Sequence, residues 1–519
     1  MSNNENNMNI YLQYLSRSIL FIVVVLINAC AVTSKVNVIS EIAPWGEEKF
    51  AYPSIENKEY SITSFGAQNN SGYNNQQAIQ QAIDKCHLNG GGIVIIPKGV
   101  WETSYIVLKS NVNLHLEEGS VLSFYDDLEL YNTPTFTRWE GIECMNYHPL
   151  IYANNAHDIA LTGKGKIKGN GESLWELKKV QHQTLDKLYS QVLNNVPPLE
   201  RNCLEYEEGS YLRPSLIQFV NSKNILVDEI EIGSGPMWTL HFVYCENVIA
   251  QNIDIITEGT NNDGIVLDSS KKILIDNCFF STGDDCIVIK SGLNEDGWRV
   301  DKPSERIIIK NCETKHGHGG VVIGSEMSGG VKNIYAHDCD FSNTERGLRI
   351  KSMKGRGGYV KDIWFENIRM DSIRREAIKI NMKYGASSIA PRNDKVPIYS
   401  NINIKDIKSS NSKICINIIG LEEQKIDSLT FTNLIMHGEK GIVISDVDNS
   451  TFNNIDIEVD DNKPIQISDC RNIIFNDLRY VGGSESIIKL SGDNFNIKVN
   501  KSNEEDFKSL FDNDESLDN

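Results

Sequence analysis

The sequence contains no run of apolar residues long enough to cross a membrane. Its longest uninterrupted apolar run, Ile19 to Ile27, has nine residues, whereas a membrane-spanning helix needs about 20. A run of this length after a single positive charge at Arg17 is typical of the core of a secretory signal. The sequence therefore predicts export rather than insertion into a bilayer.

The apolar run ends in a motif that predicts how the exported chain is processed. The residues Leu26-Ile27-Asn28-Ala29-Cys30 resemble a bacterial lipoprotein signal, in which the cysteine becomes the lipid-bearing first residue of the mature chain. An ordinary cleaved signal, in which Cys30 has no role, is the alternative. We expect residues 1–29 to be a signal peptide of the lipoprotein type, Cys30 to be lipidated, and this lipid to be the only membrane contact. The protein would then lie in the periplasm or on the bacterial outer-membrane surface, and would otherwise be secreted.

Basic residues are fewer than acidic residues. The chain has 51 Lys and Arg against 70 Asp and Glu, a net charge of −19. A protein of this charge repels the phosphates of nucleic acid, so nucleic acid is not expected as a partner. If the substrate is itself acidic, its attraction must come from a local cluster of basic residues.

Cysteine is present, but not in the pattern of a disulfide framework. Of the 11 cysteines, Cys278, Cys312 and Cys339 each close a similar four-residue phrase, as expected for equivalent places in successive repeats. We therefore expect small apolar stacking residues rather than disulfides.

A repeated phrase runs through most of the chain. Each copy has a polar residue, alternating apolar positions dominated by Ile and Val, and a further Asn or Asp. Short β-rich runs with Gly and Asn at the corners, with a period near the low twenties that loop insertions lengthen, are typical of a solenoid of β-strand coils. The spacing of leucine-rich repeats, the main alternative, is absent. The first apolar residues of the copies are Ile225, Val248, Ile273, Ile307, Ile334, Ile363, Ile402, Leu429 and Ile473; the long last interval predicts an extra turn near Phe452.

The predicted fold is all-β, a right-handed single-stranded parallel β-helix. Residues 76–86 have apolar residues at helical spacing and predict an N-terminal helix that caps the open end of the core. Residues 171–213 predict helical pieces in a long insertion. The domain boundaries follow: a signal over 1–29, an N-terminal linker over 30–58, the β-helix over 59–500 and an acidic C-terminal tail over 501–519.

Four polar clusters interrupt consecutive repeats. Stacked coils lie about 4.8 Å apart, so equivalent positions converge on one patch of the solenoid wall. Taken singly, each cluster is weak evidence for a catalytic site, because paired aspartates are more often turns or calcium ligands and Gly-His-Gly is more often a tight turn. Four such clusters in consecutive repeats are much stronger evidence for one site. They are Asn261-Asn262-Asp263, Gly283-Asp284-Asp285-Cys286, Gly317-His318-Gly319 and Arg349-Ile350-Lys351.

This patch has the residue types that glycosidic cleavage requires. The reaction needs an acid for the leaving oxygen and a base or nucleophile on the other face of the sugar. Asp263, Asp284 and Asp285 supply the carboxylates, and crowded like charges tend to keep one protonated. Arg349 and Lys351, two apart on a strand, point to one side and are suited to holding a sugar carboxylate.

The ordered set resembles the Asn-Thr-Asp, Gly-Asp-Asp, Gly-His-Gly and Arg-Ile-Lys signatures of glycoside hydrolase family 28, the polygalacturonases. Asn262 stands where the family usually has Thr, which leaves the acid in place and affects only local hydrogen bonding. The similarity spans about residues 60 to 480. It also includes Phe65-Gly66-Ala67, the Gly90-Gly91-Gly92 to Pro97 segment, Leu108-Lys109-Ser110-Asn111-Val112 and Tyr384.

The resemblance implies inverting hydrolysis of α-1,4-galacturonosidic bonds in pectin or polygalacturonic acid, with a pectic polysaccharide or oligogalacturonide as substrate. Asp284 would donate a proton to the leaving oxygen, while Asp263 and Asp285 activate water and His318 tunes the acid. No cofactor and no metal is implied. The residues expected to bind substrate are Arg349, Lys351, Tyr384, Asn261 and Lys290.

Other activities stay open at this point. The segments around Gly292 and from Gly324 to Gly330 are similar to the exo-acting bacterial branch of the family, which favours cleavage at chain ends. Rhamnogalacturonan hydrolases of the same family tend to lose the His and Arg-x-Lys elements, both intact here. A calcium-dependent pectate lyase is the enzymatic rival, and a non-catalytic β-helix adhesin the rival of another class, although an adhesin gives no reason for four polar clusters on one patch.

Overall fold

The computed structural model describes residues 37–385, 393–460, 464–482, 486–500 and 509–511. The predicted signal peptide, Cys30 and most of the predicted acidic tail lie outside the described residues. From Ile39 onward the described residues form one compact unit. None of the helices among them combines the length and apolar character that a membrane crossing requires.

Most of the described chain is a wall of parallel strands wound in successive coils, so the predicted parallel β-helix is confirmed. Each coil contributes strands to up to three faces, and each strand pairs with the corresponding strand of the next coil. The first face comprises Ile106–Val107, Ile151–Asn154, Ile217–Val220, Leu240–Val243, Ile265–Asp268, Ile287–Lys290, Val321–Ile323, Leu348–Lys351, Glu376–Asn381, Ile465–Ser468, Ser486–Ser491 and Ser509–Phe511.

The second and third faces complete the coil. The second comprises Glu59–Ser61, Gly92–Ile96, Val112–Leu116, His157–Thr162, Lys223–Asp228, Glu246–Gln251, Lys271–Asp276, Ser304–Lys310 and Phe495–Val499. The third comprises Gly99–Thr103, Ser120–Phe124, Lys166–Lys168, Glu231–Gly233, Asp254–Ile256, Phe279–Ser281 and Glu313–His316. Longer strands continue around the corners between faces: Val331–Ser342, Tyr359–Asp371, Ile398–Ile419, Ile426–Ser445, Val447–Val459 and Arg471–Val481.

The core is the interior of the coils. Alternate side chains of every strand point inward, and stacking on the next coil buries them, which accounts for the recurring Ile and Val. Phe431, Phe452 and Phe475 form one such stack, with ring centroids 4.6 and 4.7 Å apart. Phe452 lies on the strand Val447–Val459, so the extra turn predicted near it is confirmed.

The Asn residues of the repeat occupy the corners. Asn224 and Asn247 have φ of 54° and 57°, in the left-handed region that asparagine tolerates better than most residues. The amide of Asn247 donates to the side-chain oxygen of Asn224 in the preceding coil at 3.1 Å. The same side-chain contact recurs between Asn472 and Asn449 at 2.8 Å. These corner residues bend the chain and link the coils by hydrogen bonds.

All ten cysteines among the described residues are free and buried. Cys278, Cys312 and Cys339 stand directly after the second-face turn in successive coils and pack into the core. The interpretation of these residues as stacking positions is confirmed.

Helix α1, Gln76–Leu88, covers the first coils. It buries Ile79, Ala82, Ile83 and Cys86 in the main core, so the predicted capping helix is confirmed. Two short 3₁₀ turns, Ile62–Phe65 and Leu128–Tyr131, flank this end of the solenoid.

Several inserted segments pack on the outer side of the first face. The long insertion contains the 3₁₀ helices Gly171–Lys179, Pro198–Glu200 and Cys203–Glu205 and helix α2, Gln181–Leu193, as predicted. Helix α3, Asn294–Val300, follows the strand Ile287–Lys290. An antiparallel hairpin, Thr135–Trp139 with Ile142–Asn146, was not predicted. Side chains from these segments form an apolar cluster with Val266, Val288 and Val322 of the first face.

A second hairpin lies on the second face, within the segment that the sequence suggests is a linker. Its strands are Val38–Ala43 and Gly46–Ala51. Phe50 is fully buried in a cluster with Ile249, Leu274 and Ile308. Arg306 binds Glu48 through two hydrogen bonds of 2.5 and 2.6 Å. We call this segment, residues 38–51, the N-terminal arm.

Candidate active site

The polar clusters stand at the entry to consecutive strands of the first face. Asp263 lies two residues before Ile265, and Asp285 two residues before Ile287, which pairs with Ile265 in the next coil. The two aspartates therefore occupy the same place in successive coils. Arg349 and Lys351 lie on the strand Leu348–Lys351, two coils further on.

The three predicted carboxylates come together. One oxygen from each of Asp263, Asp284 and Asp285 lies within 4.8 Å of the others. Asp263 and Asp285 are buried, whereas 17% of the Asp284 side chain is exposed. Asp284 is thus the carboxyl group that a polymer in the groove can reach most directly.

Asp284 is paired with His318. The Nδ1 atom of His318 lies 3.0 Å from Oδ1 of Asp284, and the backbone N–H of Asp285 donates to the same oxygen at 3.0 Å. Burial acts to raise the pKa of Asp284, but the hydrogen bond and charge of His318 outweigh it and hold that pKa well below its usual value. The hydrogen bond to Asp284 in turn raises the pKa of His318.

The pKa of Asp263 is shifted in the opposite direction to that of Asp284. Burial, together with the negative charge of Asp284, raises the pKa of Asp263 well above that of an ordinary aspartate. In the free enzyme Asp263 therefore holds a proton more tightly than Asp284 does, and His318 holds its proton more tightly than an ordinary histidine. Electrostatics of the free site alone does not place the proton on the residue that the sequence pattern assigns as the acid.

Asp285 is held by cations. The ammonium group of Lys351 donates to Oδ2 of Asp285 at 2.7 Å, and a guanidinium nitrogen of Arg349 lies 3.8 Å from Oδ1. Oδ1 of Asp285 is buried and accepts no hydrogen bond among the described residues. This free lone pair faces the site and can bind a water or a sugar hydroxyl.

Arg349, Lys351 and Tyr384 form one group. The guanidinium of Arg349 lies 5.4 Å from the centroid of the Tyr384 ring, and the ammonium of Lys351 lies 5.3 Å from it. Cation–π contacts of this kind orient both cations while leaving hydrogen-bond donors available. The structure thus brings together the three residues that the sequence pattern assigns to substrate binding at the start of the second half of the solenoid.

Lys290 is the last residue of the first-face strand that follows Asp285. It donates to Glu326 at 2.6 Å and lies 5.0 Å from the centroid of the Trp238 ring. Burial acts to lower the pKa of Lys290, but the charges of Glu326 and Asp263 raise it instead. Lys290 is therefore a permanent cation beside Asp263.

Asn261 is engaged by two basic residues. Its side-chain oxygen accepts from Lys178 at 2.6 Å and from Arg213 at 2.8 Å. This contact places two cations from the long insertion next to the catalytic coil. Sequence reasoning assigned no role to Lys178 or Arg213, because their places depend on how the insertion folds back. Glu326 lies in the segment from Gly324 to Gly330, where the sequence showed a similarity to the exo-acting branch but gave no contact with Lys290.

Asn262, which stands where the family usually has Thr, makes a hydrogen bond within its own segment of the chain. Asn262 is buried, and the hydroxyl of Thr257 donates to its side-chain oxygen. The amide nitrogen of Asn262 makes no hydrogen bond within the described part of the chain. The change from Thr to Asn therefore alters hydrogen bonding next to Asp263, as the sequence indicated.

The site lies in a cavity of about 380 Å³. The catalytic coils form its floor, and inserted segments form much of its wall. Helix α2 and the 3₁₀ helix before it, the turn of the unpredicted hairpin, the start of helix α3 and the loop 353–356 all contribute. The lining side chains from these segments are Glu140, Lys178, Gln181, Leu185, Asp186, Tyr189, Leu293, Asn294, Met353, Lys354, Gly355 and Arg356.

The carboxylate triad is close enough to bind one cation between its oxygens. Calcium, however, takes six to eight oxygen ligands, and the Oδ2 atom of Asp285 is already bound by Lys351. The nearby charges of Lys351, Lys290 and His318 supply the positive field that such an ion would provide.

A parallel β-helix with three clustered carboxylates in a groove is typical of glycoside hydrolases, and the match to a family of these enzymes shows that the protein is one. The model of glycosyl hydrolases family 28 matches residues 200–441, a range that contains all four polar clusters. The chain belongs to this family.

Known proteins of the family resemble the chain over most of its length. It is similar to the solved structure of a hyperthermoactive exopolygalacturonase from Thermotoga maritima, with 34% identity and a TM-score of 0.71 over 82% of this chain and 93% of that one. A probable polygalacturonase of Vitis vinifera is 28% identical, covering 75% of this chain and 77% of the relative. An exo-poly-alpha-D-galacturonosidase of Dickeya chrysanthemi is 26% identical, covering 77% and 70%.

Proposed function

We propose that the enzyme hydrolyses α-1,4-galacturonosidic bonds of polygalacturonic acid and pectic oligogalacturonides from a chain end. The observation that carries the substrate assignment is the group of Arg349, Lys351 and Tyr384 beside the triad. In a protein of net charge −19, a polyanion must be bound by short-range contacts, and these cations stand where one sugar of the cleaved pair would lie. The similar exopolygalacturonases support the same substrate class.

The proposed acid is Asp284, the most exposed of the three carboxyl groups. The Asp284–His318 pair shares one transferable proton, and the opposite shifts of the two pKa values favour its position on the imidazole before substrate binds. Asp284 passes this proton to the glycosidic oxygen as the bond between that oxygen and the anomeric carbon breaks. The leaving sugar departs as an alcohol, and Asp284 is left as an anion stabilised by His318.

Water activation is assigned to Asp285 and Asp263. The unpartnered Oδ1 of Asp285 accepts a hydrogen bond from the attacking water and takes its proton, while Lys351 keeps Asp285 ionised. Asp263, which holds a proton, orients the water by hydrogen bonding. Attack from the face opposite the leaving oxygen converts an α bond into a β product.

Action at the chain end is proposed from the wall of the cavity. Helix α2 with its preceding 3₁₀ helix, the hairpin turn and the loop 353–356 rise around the catalytic coils. A groove open at both ends would accept the middle of a polymer, whereas inserted segments that obstruct one side favour entry by a chain end.

Incubation with polygalacturonic acid, in buffer with a chelator, is expected to release monogalacturonate or digalacturonate from the first minutes. Because inserted segments that obstruct one side of the groove would exclude a continuous chain, intermediate oligomers should not accumulate. Sizing the products over time by anion-exchange chromatography checks this. A ladder of oligomers would show endo action, and an ultraviolet-absorbing unsaturated product that disappears with the chelator would show a calcium-dependent lyase.

Proton NMR of the same digests reads the stereochemistry. The β anomer of the released sugar should appear first and then mutarotate. Early accumulation of the α anomer would show retention and would make one of the aspartates a nucleophile.

We further propose that Cys30 anchors the exported protein by a lipid, supported by the short apolar run and the residues that precede this cysteine. Cys30→Ala is expected to abolish incorporation of a radioactive fatty acid into the protein in a bacterial host, because the thiol that would carry the lipid is gone. Labelling of both proteins in the same host measures this. Equal labelling of both proteins, or recovery of the wild type in the soluble fraction, would contradict the anchor.

A further inference from the structure

Glu140 occupies the tip of the unpredicted hairpin, in an unusual conformation. Trp139 pairs with Ile142, so Glu140 and Gly141 form a two-residue turn, with φ of 42° and 85°. Turns with two positive φ angles favour Asn-Gly, because most side chains are disfavoured in this region. A glutamate at the first position therefore destabilises the turn, and its side chain does nothing to stabilise it.

The tip of the hairpin is firmly held. The indole N–H of Trp139 donates to the carbonyl of Arg213 at 3.0 Å, and the backbone N–H of Leu293 donates to the carbonyl of Gly141 at 3.0 Å. Arg138, fully buried, donates to Asp268 at 2.8 Å. The carboxyl group of Glu140 is thus positioned by contacts to the first face, the long insertion and the segment before helix α3.

The carboxyl group itself has no assigned structural role. Glu140 lines the cavity of the active site, yet its side chain makes no hydrogen bond or ion pair with any residue that the structure describes. Burial and the charge of Glu326 raise the pKa of Glu140 to about 7, against the lowering effect of Lys178, Lys290 and Arg213. In mildly acidic solution the group is therefore mostly neutral and can both donate and accept a hydrogen bond.

Glu140 lines the same cavity as Lys290 and Asp263. Lys290 is electrostatically close both to Glu140 and to Asp263, whereas His318 interacts with Asp284, Asp285 and Glu345. If one sugar of the cleaved pair binds at Arg349 and Lys351, its neighbour is left the part of the cavity that Lys290 and Glu140 line.

We propose that Glu140 binds a free hydroxyl group of the terminal sugar at the non-reducing end and so makes the cavity selective for chain ends. This inference rests on the proposed exo action. A neutral hydroxyl is accepted by a carboxyl group in either protonation state, and the charges of Lys178, Lys290 and Arg213 next to Glu140 offset the carboxylate that the terminal sugar itself carries. An internal sugar carries a glycosidic bond to the next uronate where the terminal sugar has its 4-hydroxyl.

Two trisaccharides test the inference: trigalacturonate, and the trimer whose non-reducing sugar is 4,5-unsaturated and so lacks the 4-hydroxyl. Wild type is expected to cleave the saturated trimer at least roughly tenfold more efficiently, since a site built to hydrogen-bond a hydroxyl rejects the analogue without it. Glu140→Ala should lower kcat/KM on the saturated trimer by roughly tenfold and change it little on the unsaturated one. Glu140→Gln, which keeps a donor and an acceptor, should retain most of the selectivity.

Glu172→Ala, at an exposed glutamate of the same insertion wall, is the control and should leave the ratio between the two substrates unchanged. Equal losses of Glu140→Ala on both trimers would mean that the hairpin was merely disturbed and would overturn the inference, as would an unchanged ratio. Failure of the exo proposal is distinguishable, because wild type would then give a ladder on polygalacturonic acid whatever the variant does.

Discussion

Asp284→Asn is expected to lower kcat on polygalacturonic acid by roughly 10²- to 10⁴-fold, the usual contribution of a general acid, with the Kd for oligogalacturonides almost unchanged. The amide has the shape of the carboxyl group and can still contact His318, but it has no proton to transfer to the leaving oxygen. Steady-state kinetics and equilibrium binding to the inactive variant measure the two quantities.

A substrate with an activated leaving group distinguishes the residue that acts as the acid from the residue that acts as the base. An aryl galacturonide whose phenol leaves without protonation should be cleaved by Asp284→Asn with a much smaller loss, whereas Asp285→Asn should be impaired equally on both substrates. If Asp263→Asn instead shows this dependence on the leaving group, Asp263, whose pKa burial raises, is the acid, and the assigned roles are exchanged.

Arg349→Gln is expected to lower kcat/KM on polygalacturonic acid by roughly ten- to a hundredfold. A charge-assisted contact between arginine and a carboxylate contributes on the order of 1.5–3 kcal/mol, and about 1.4 kcal/mol corresponds to a factor of ten. Arg349 stands between Asp285 and the ring of Tyr384, so its loss removes a donor without opening a large cavity.

The matched substrate is fully methyl-esterified polygalacturonic acid, on which the same mutation should have a much smaller effect because the sugar has lost its charge. Arg369→Gln, at an exposed arginine paired with Asp340 on the third face, should change neither value. An equal loss with both substrates would show that Arg349 does not bind the carboxylate, and the assignment of galacturonic acid to this part of the site would fail.

The fold could be predicted from the sequence because each repeat carries its own local information. The alternation of Ile and Val fixes which side chains point inward, and Asn at the corners supplies left-handed residues and the ladder of side-chain contacts. Even the hidden turn at Phe452 follows from spacing. The convergence of Asp263, Asp284 and Asp285 follows in the same way, since equivalent positions in stacked coils are neighbours.

The parts that escaped prediction are those that depend on insertions. The hairpin ending at Asn146 has no counterpart in the repeat, so nothing in the pattern indicated that Glu140 would enter the cavity. The contacts of Asn261 with Lys178 and Arg213 depend on how the insertion folds back. The order of proton affinities could not be predicted either, because burial of Asp263 and exposure of Asp284 are properties of the assembled wall.

The N-terminal arm gives the solenoid a property that stacking alone does not provide. In a repeat protein each coil contacts only its neighbours, so ends can fray one coil at a time. The arm instead lies along the second face and ties Ile249, Leu274 and Ile308, on three successive strands, to residues from the very start of the described chain. Local unfolding of any one of these coils must therefore also break its contacts with the arm. A chain that begins at residue 59 would lack the arm and would expose the isoleucine and leucine side chains beneath it to solvent. Such an apolar surface is prone to self-association.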